Sequence, residues 1–512
     1  MSARNRIISL ALAAVLAGCT VGPNYHAPQL NVPAEFSAAT TQPVVYPTTL
    51  PTVASSPPFE LAHWWESLND PELNSLISRA IAANPDLQIA VNRLQEAREI
   101  LAVDTGQGLP DAETSIGAGI GSGTNSTKGR VSAPLNAATN TGGYKEITQV
   151  LGFDAAWEVD LFGQVRRQVQ AAQADARAAA DFHNQALVTL TGDVAAAYFD
   201  VRTLQTRVQI TKQAIEVQRN TADYARGRFQ QGFVSELDAD LAERELHSFE
   251  STLPPLESQL GAAKRAVAVL LGEFPEEIGN ELDSSQAMPQ PPAELPSGLP
   301  AELLRRRPDV RLAEQQLIAA NAQIGMATAN LYPQIFLTAG GGWQGQGLGR
   351  TPILWNGIWS VGPAVRWALF DFGTIDAAVN IEDYHTREML WNYRKSVIAA
   401  VEEVDDALQN YDAERARLSE LSQAVVVAQR ALTVAKGRYE RGIIDFLNVL
   451  DAQRQLFALQ DQYALSQEQT VTQFIAVCKA LGGGWEGSPL PPAPRAPRPA
   501  IIAAAADALG HR

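Results

Sequence analysis

The side chains that most often carry enzyme chemistry are few in this chain and are not spaced for it. Its six histidines are scattered, without the short spacing that lets two of them share a metal ion. There is no nucleophile elbow or phosphate loop, and the glycine-rich stretch 340–349 lies between two predicted strands, not before a helix. The sequence therefore predicts neither catalysis nor a resident metal or cofactor.

One residue, Cys19, has a setting that predicts a chemical modification. Arg4 and Arg6 precede a short apolar run, which ends in Leu-Ala-Gly-Cys. A run this short is the core of an export signal and not a membrane span. The ending resembles a bacterial lipobox, so we expect residues 1–18 to be a signal peptide and Cys19 to carry lipid; plain secretory cleavage is the alternative. Cys478 lies in an apolar helical stretch and is predicted to be a small core residue.

The charge balance excludes one class of partner. The formal net charge is -16, and it becomes -18 once Arg4 and Arg6 are removed with the signal. Binding to phosphates needs a basic face. We therefore expect no nucleic acid partner.

The elements that would position a site occur twice. Trp157, Phe162 and Gly163 recur at an offset of 210 residues as Trp367, Phe372 and Gly373, and an offset of 223 links Pro85-Asp86 with Pro308-Asp309. Rare residues that keep one spacing over this distance indicate two copies of one structural unit. The difference of 13 residues places a longer loop in the first copy, between Pro110 and Trp157.

Each copy contains a segment in which apolar and polar residues alternate, the pattern of β-strands. The predicted strands are 112–120, 147–160, 335–343 and 355–370, with loops at 121–143 and 340–350. Clustered tryptophans resemble the aromatic girdle of a membrane sheet; they are Trp343, Trp355, Trp359 and Trp367. Four strands cannot close a barrel in lipid, so this interpretation requires several chains, and three would supply twelve strands. A half-buried sheet on a soluble core is the alternative.

Two long helices are predicted at 163–231 and 373–441, where proline is absent. Each spans roughly 100 Å, so neighbouring helices must support it. A heptad seam from Leu187 to Val208 supplies one contact face. Shorter helices, at 72–105 and at 236–271 with a break at Pro254-Pro255, would stack end to end beside a long one. A simple antiparallel coiled coil is the alternative, but it leaves the strands unexplained.

Tight turns join each long helix to its return helix. The two tips read Gly232-Phe233-Val234-Ser235 and Gly442-Ile443-Ile444-Asp445. Glycine supplies a left-handed cap, and Ser235 or Asp445 can cap the next helix. Exposed apolar residues on a tip indicate a docking surface, although a plain helical hairpin is also possible.

Several motifs together resemble the TolC-type outer-membrane factors, in the lipoprotein branch of the NodT and OprM type. They include Cys19 to Tyr25, Asn84-Pro85-Asp86-Leu87, Leu253-Pro254-Pro255-Leu256 and Arg306-Arg307-Pro308-Asp309-Val310. The resemblance implies a mainly α fold with a small β part. Its homotrimer would form an outer-membrane β-barrel, with four strands per chain, continued by a long α-helical barrel. The tips would meet a periplasmic adaptor linked to an inner-membrane transporter, of the RND type.

The resemblance also assigns the segments of the chain. They are a lipid-anchored extended segment at 19–62, a first repeat at 63–272, an equatorial linker at 273–300, a second repeat at 301–482 with its return helix at 446–481, and a Pro/Ala-rich tail at 483–512. In this family acidic residues surround the closed periplasmic aperture, and Asp451 matches such a position. Asp445 is a possible substitute, Asp238 matches a carboxylate that restrains the closed state, and Tyr439 matches a residue that holds neighbouring helices.

The function implied is an exit duct, anchored in the outer membrane, that passes small molecules out of the periplasm. The outer-membrane component of a type I protein secretion system and a structural periplasmic coiled-coil lipoprotein are the alternatives. The sequence does not identify the transported substrate.

Overall fold

The computed structural model describes residues 20–30, 33, 60–121, 146–278, 281–284, 287–292, 305–348 and 353–493. These ranges contain helices α1 (Pro71–Ala83), α2 (Pro85–Gln107), α3 (Gln164–Gln230), α4 (Glu236–Leu271), α5 (Pro308–Ala329), α6 (Thr374–Glu440) and α7 (Phe446–Ala480). The strands are β1 (Asp111–Gly121), β2 (Glu146–Val159), β3 (Gln334–Leu348) and β4 (Leu354–Arg366). The signal peptide, Cys19 and most of the predicted N-terminal segment and tail lie outside the described residues.

The chain is mainly helical with one small antiparallel sheet, so the coarse fold class is confirmed. The strands pair in the order β1-β2-β3-β4. Leu151 lies opposite Ile116 on one side and Trp343 on the other, and Trp343 in turn lies opposite Gly357. This register puts the even residues of β1 and the odd residues of the other strands on one face. Within the described strands that face carries no ionisable side chain.

The two strands of the second hairpin differ in length from the prediction. β3 continues through the glycine-rich stretch, which we had expected to be a loop. Gly342 faces the neighbouring backbone so closely that a Cβ there would lie 2.4 Å from the carbonyl oxygen of Leu151, so the glycines permit the pairing. β4 ends at Arg366 because its partner strand begins at Gln334, opposite that residue.

The sheet is fastened to the helices at equivalent places in both repeats. The indole N–H of Trp157 donates to the carbonyl oxygen of Gly108 at 3.0 Å, just after α2. The indole N–H of Trp367 donates to the carbonyl oxygen of Leu331 at 3.1 Å, just after α5. Each tryptophan therefore fixes the base of the sheet to the end of the helix that leads into it.

The long helices α3 and α6 have 67 residues each, and the offset of 210 carries one onto the other. The heptad seam of α3 packs into the core, with Leu187, Val194 and Val201 almost fully buried. α3 contacts α1, α2, α4, α5 and α7, whereas α6 contacts α5 and α7. Cys478 is also in the core, as predicted, and burial raises the pKa of its thiol. Among the described residues, no helix combines the length and hydrophobicity needed to cross a membrane.

The short helices stack end to end, but the joints differ from our prediction. The predicted helix 72–105 is broken at Asn84, which caps α2 by accepting from the backbone N–H of Leu87. The Asn84 amide donates to the carbonyl oxygen of Leu270 at 2.8 Å, at the end of α4. The second repeat has the same joint, where Arg307 donates to the carbonyl oxygen of Ala480 at 2.9 Å.

The predicted break at Pro254-Pro255 does not occur, and α4 runs through both prolines. Both rings lie on the exposed side of the helix, whereas Leu256 is buried. Water can therefore reach the carbonyl groups that lose their N–H partners, and packing against α3 supports the turn. Tertiary contacts have overridden the local signal.

Candidate functional site

The two hairpin tips are built by the same backbone turn. In the first, Gly232 has φ 76°, and the N–H of Phe233 donates to the carbonyl oxygen of Arg228 at 2.9 Å. In the second tip, Gly442 has φ 71°, and the N–H of Ile443 donates to the carbonyl oxygen of Arg438 at 3.0 Å. This pattern ends a helix with a left-handed residue, for which glycine is suited. The turn leaves the apolar tip residues on the outside.

Apolar side chains are exposed at both tips. Phe233 is 68% exposed and Ile443 is 62% exposed. Val234 and Ile444 are half-buried beside them, and Leu237 and Leu447 on the following turns are also exposed. The structure therefore places the predicted tip residues on an apolar surface at one end of the chain.

The return helices start differently at the two tips. The Asp238 carboxylate accepts from the backbone N–H of Ser235 at 3.3 Å and from its hydroxyl at 3.1 Å, so it closes the first turn of α4. Asp445 has the backbone conformation of an N-cap, but its side chain makes no cap hydrogen bond, which corrects our expectation for this residue. The start of α7 therefore lacks the side-chain hydrogen bonds that Asp238 and Ser235 give to the start of α4.

Tyr439 lies between the two hairpins. Its ring packs on Phe446 with the centroids 5.2 Å apart, and both belong to an apolar cluster with Ala225 and Ala242 of the first hairpin. Burial raises the pKa of the Tyr439 phenol, and the positive charge of Arg228 opposes that rise. Tyr439 therefore joins helices within one chain.

Arg228 was not among the predicted site residues, yet its side chain contacts aromatic rings of both hairpins. Its guanidinium lies 5.6 Å from the ring centroid of Tyr439, 5.9 Å from that of Phe233 and 5.8 Å from that of Tyr224. At these distances a cation is attracted to an aromatic face. The hint in the sequence is a Gly-Arg-aromatic motif that recurs at the offset of 210, as Gly227-Arg228-Phe229 and Gly437-Arg438-Tyr439. The motif does not say that one guanidinium meets both hairpins.

A groove follows the seam between the hairpins just above the tips. It has a volume of about 250 Å³, and its lining includes Thr221, Tyr224, Lys436, Tyr439 and Phe446. The wall combines aromatic rings with polar groups from both hairpins. The seam is therefore an amphipathic cleft next to the apolar tip surface.

The aperture carboxylates are not brought together within one chain. Asp445 and Asp451 are exposed on the first turns of α7, and across the described ranges neither forms a salt bridge. The Asp238 carboxylate is directed to its own helix start. An acidic ring at this end would require carboxylates from several chains.

The N-terminal strap, residues 20–30, indicates where a lipid on Cys19 would be attached. The Arg167 guanidinium donates to the carbonyl oxygens of Val21 and Gly22 at 3.2 Å each and to the Asn24 side-chain oxygen at 2.9 Å. A Cβ on Gly163 would lie 2.9 Å from the Cα of Thr20. Thr20, which is bonded to Cys19, therefore lies at the junction of β2 and α3, at the base of the sheet.

Comparison with known proteins decides the family. The model of the outer membrane efflux protein family matches residues 76–273 and 299–483, which is more than half of the chain. The chain belongs to this family. The toluene efflux pump outer membrane protein TtgF of Pseudomonas putida is 29% identical over 488 residues, covering 94% of this chain and 98% of that protein.

Other members of the family agree over the same length. Nodulation protein T of Rhizobium leguminosarum bv. trifolii is 28% identical over 472 residues, covering 92% of this chain and 96% of that protein. The solved outer-membrane channel OprN superposes with a TM-score of 0.79 at 31% identity, covering 91% of this chain and all of OprN. The family resemblance noted from the motifs is thus confirmed, and the efflux family contains outer-membrane components of pumps.

Proposed function

We propose that this chain is the outer-membrane exit duct of a tripartite efflux system, and that it acts as a homotrimer. One observation carries the proposal. A sheet with one uncharged apolar face stands at the end of two helices of roughly 100 Å, in a chain of the outer membrane efflux family. The sheet suits the bilayer, and the helices are long enough to extend far into the periplasm.

The open edges of the sheet support the assembly of several copies. β1 and β4 each have one side without a hydrogen-bonding partner in the described chain. Lipid does not tolerate unpaired backbone groups, so the strands of several copies must close a barrel. Three copies supply the twelve strands that the family resemblance implies, and a lipid on Cys19 would hold each copy at the base of the barrel.

The tips suit contact with a periplasmic adaptor, which would connect the duct to an inner-membrane transporter, of the RND type. Phe233 and Ile443 offer apolar contacts, and the groove beside Tyr439 offers a seam for a partner hairpin. Three copies would bring Asp451 and Asp445 around one axis, where mutual repulsion favours cations and opposes tight closure.

The function is tested by deleting the gene and restoring it on a plasmid. We expect the deletion to increase sensitivity to toxic small molecules such as dyes, solvents and antibiotics, and the wild-type gene to restore resistance. The minimal inhibitory concentrations of such a panel are the measurement. Unchanged resistance together with the loss of a secreted polypeptide would favour type I secretion instead. A soluble protein released without detergent would favour the coiled-coil lipoprotein.

The aperture assignment is tested by Asp451→Ala in planar bilayers. We expect weaker block by divalent cations and lower cation selectivity, because one carboxylate per copy is removed from the axis. Asp240→Ala is the matched control, since it removes an exposed carboxylate from α4 of the other hairpin. If Asp451→Ala leaves the cation block unchanged, Asp451 does not line the constriction.

A further inference from the structure

A second groove lies farther from the tips, between α3, α4 and α7. It has a volume of about 490 Å³, within the range of about 300–1,000 Å³ that is typical of small-molecule sites. Part of its wall is apolar, because Leu204 and Leu465 line it together with a row of small residues on α4, which are Ala262, Ala263 and Ala266. These alanines leave room for a ligand between the three helices.

Two carboxylates in this groove lack a counter-charge. Asp200 belongs to α3 and Glu468 to α7, and across the described helices neither forms a salt bridge. Arg207 lies in the same lining, but its guanidinium donates to the Asp461 carboxylate at 2.7 and 3.2 Å. Arg207 and Asp461 therefore neutralise each other, and the groove retains two uncompensated negative charges.

The surroundings of these carboxylates favour a cationic partner. Burial raises the pKa of both carboxyl groups, and at Glu468 the charge of Asp200 adds to the rise, while Thr203 and Arg207 oppose it. Thr203 is only 1% exposed, and its hydroxyl makes no hydrogen bond of good geometry to any described residue. A buried hydroxyl and two neighbouring carboxylates are costly without a partner, and one bound cation would interact favourably with all three.

The groove and the second layer of the chain lie on opposite sides of the α3–α4 pair. On the layered side, α1 packs on both helices, Lys264 of α4 pairs with Asp283, and Gln205 of α3 donates to the carbonyl oxygen of Leu282. At about 100° per residue, the groove residues of α3 and α4 lie roughly opposite Gln205 and Lys264. A duct must stay open, so the layered side is the outside of the assembly and the groove faces the duct.

We propose that this groove binds monovalent organic cations with an apolar body, such as quaternary phosphonium and ammonium compounds. The positive charge lies between Asp200 and Glu468, near the Thr203 hydroxyl, and the apolar body lies on the leucine and alanine wall. The inference rests on the proposed function for the side that faces the duct, and it names a class of substrate that the duct would hold on its way out.

The test uses two probes that have nearly the same shape and opposite charge. Tetraphenylphosphonium is the cation, and tetraphenylborate is the matched anion. Binding of each to the purified full-length protein in a neutral detergent is measured by equilibrium dialysis, with protein-free detergent as the blank. We expect saturable binding of the cation and no saturable binding of the anion.

The charge is removed by Asp200→Asn with Glu468→Gln, which keeps the size of both side chains. We expect the dissociation constant for tetraphenylphosphonium to rise at least about tenfold, because an apolar cation in a partly desolvated site loses its counter-charge. The matched control is Glu216→Gln with Glu257→Gln, which removes two exposed carboxylates from the same pair of helices outside the groove. The control should bind the cation as the wild type does.

Two further variants separate binding from folding. Ala262→Phe fills the groove from an exposed position and leaves both carboxylates in place, so it should also weaken binding of the cation. Thr203→Val removes the buried hydroxyl and keeps its shape, and we expect the dissociation constant to rise about threefold. Circular dichroism and native mass measurement of every variant report whether fold and assembly are retained.

The outcomes separate the groove from the proposed function. Equal affinity of the wild type and the Asp200→Asn, Glu468→Gln variant overturns the groove, as does saturable binding of tetraphenylborate that responds in the same way to Ala262→Phe. Loss of cation binding in Asp451→Ala, with the groove variants unaffected, places the cation at the aperture instead. None of these results changes the exit-duct proposal, which depends on the gene deletion and its complementation. Conversely, a gene that restores no resistance overturns the duct even if the purified protein binds the cation.

Discussion

The helices α3 and α6 are equal in length and occupy the same place in their repeats, yet their surroundings differ. In α3, 28 of 67 residues are buried, whereas in α6 only seven of 67 are. α3 has helices on two sides, and α6 leaves apolar residues such as Tyr384, Trp391 and Ile398 exposed along one face. The long helix of the first repeat, α3, is thus enclosed by helices of its own chain. The long helix of the second repeat, α6, leaves one apolar face exposed.

The two helical hairpins, α3 with α4 and α6 with α7, also differ in the contacts that hold their helices together. Arg226 pairs with Glu243 at 2.5 Å, and Arg219 pairs with Glu250 at 2.9 Å, which ties α3 to α4. α6 and α7 pack near their tip through an apolar cluster of Leu432, Val449 and Leu456. At the offset of 210, Arg226 and Glu243 correspond to Lys436 and Gln453, and Arg219 and Glu250 correspond to Gln429 and Gln460, so neither ion pair recurs in the second hairpin.

The largest loss of stability is expected from a substitution in the most enclosed part of α3. The Arg202 guanidinium is 2% exposed, donates to the Tyr198 hydroxyl at 2.9 Å and pairs with Glu72. Arg202→Ala would leave buried polar groups without this partner, so we expect a loss of about 3–5 kcal/mol in the free energy of unfolding. Denaturant titration followed by helical circular dichroism measures it.

The control for Arg202 is its repeat equivalent on α6. Asp412 is exposed, so Asp412→Ala should change the free energy of unfolding by less than about 0.5 kcal/mol. Equal effects of the two substitutions would show that the difference in enclosure has no energetic consequence.

A smaller effect is expected on the free face of α6. Trp391→Ala should weaken the assembly by about 2 kcal/mol or more, as a buried aromatic anchor does, while the fold of the single chain is retained. The temperature at which the detergent-resistant oligomer dissociates is the measurement. Asn392→Ala changes the next exposed residue on another side of the helix and should leave that temperature unchanged. A Trp391→Ala oligomer as stable as the wild type would place this face outside the interface.

The smallest effect on stability is expected from loss of the ion pairs between α3 and α4. Arg226 and Arg219 lower the pKa of Glu243 and Glu250, respectively, below the ordinary carboxyl value of about 4.3. Their stabilisation is therefore fully present above that ordinary value and is lost as the pH falls through the lowered pKa values. Hydrogen-exchange protection factors, which correct for the slower intrinsic exchange in acid, should fall at the tip of α3 and α4 on acidification, or at neutral pH in Glu243→Gln with Glu250→Gln.

The apolar hairpin is the internal control for that experiment. The tip of α6 and α7 should respond less to acid and to both substitutions, since Leu432, Val449 and Leu456 carry no charge. If both tips lose protection to the same extent, the ion pairs are not what distinguishes the hairpins.

Local sequence signals predicted the long helices well, because glycines mark their ends and proline is absent between them. These signals failed where contacts with distant parts of the chain determine the local structure. Asn84 before a proline signals the start of a helix. That this start is also the joint between stacked helices is visible only in the structure, where the Asn84 amide meets the end of α4. Pro254 reads as a break, yet α4 continues because its prolines face solvent. The tip loops were predictable from glycine, whereas the position of Arg228 between two hairpins depends on long-range packing.

The sequence alone determined the two repeats, the alternation that gives the sheet one apolar face, and the turns at Gly232 and Gly442. These features depend on periodicity and on backbone conformations that only a few residues adopt, so they can be recognised locally. The tertiary structure decided which long helix is enclosed, which carboxylate caps its own helix and where β4 stops. Burial and strand pairing depend on residues hundreds of positions away, and no local pattern specifies them.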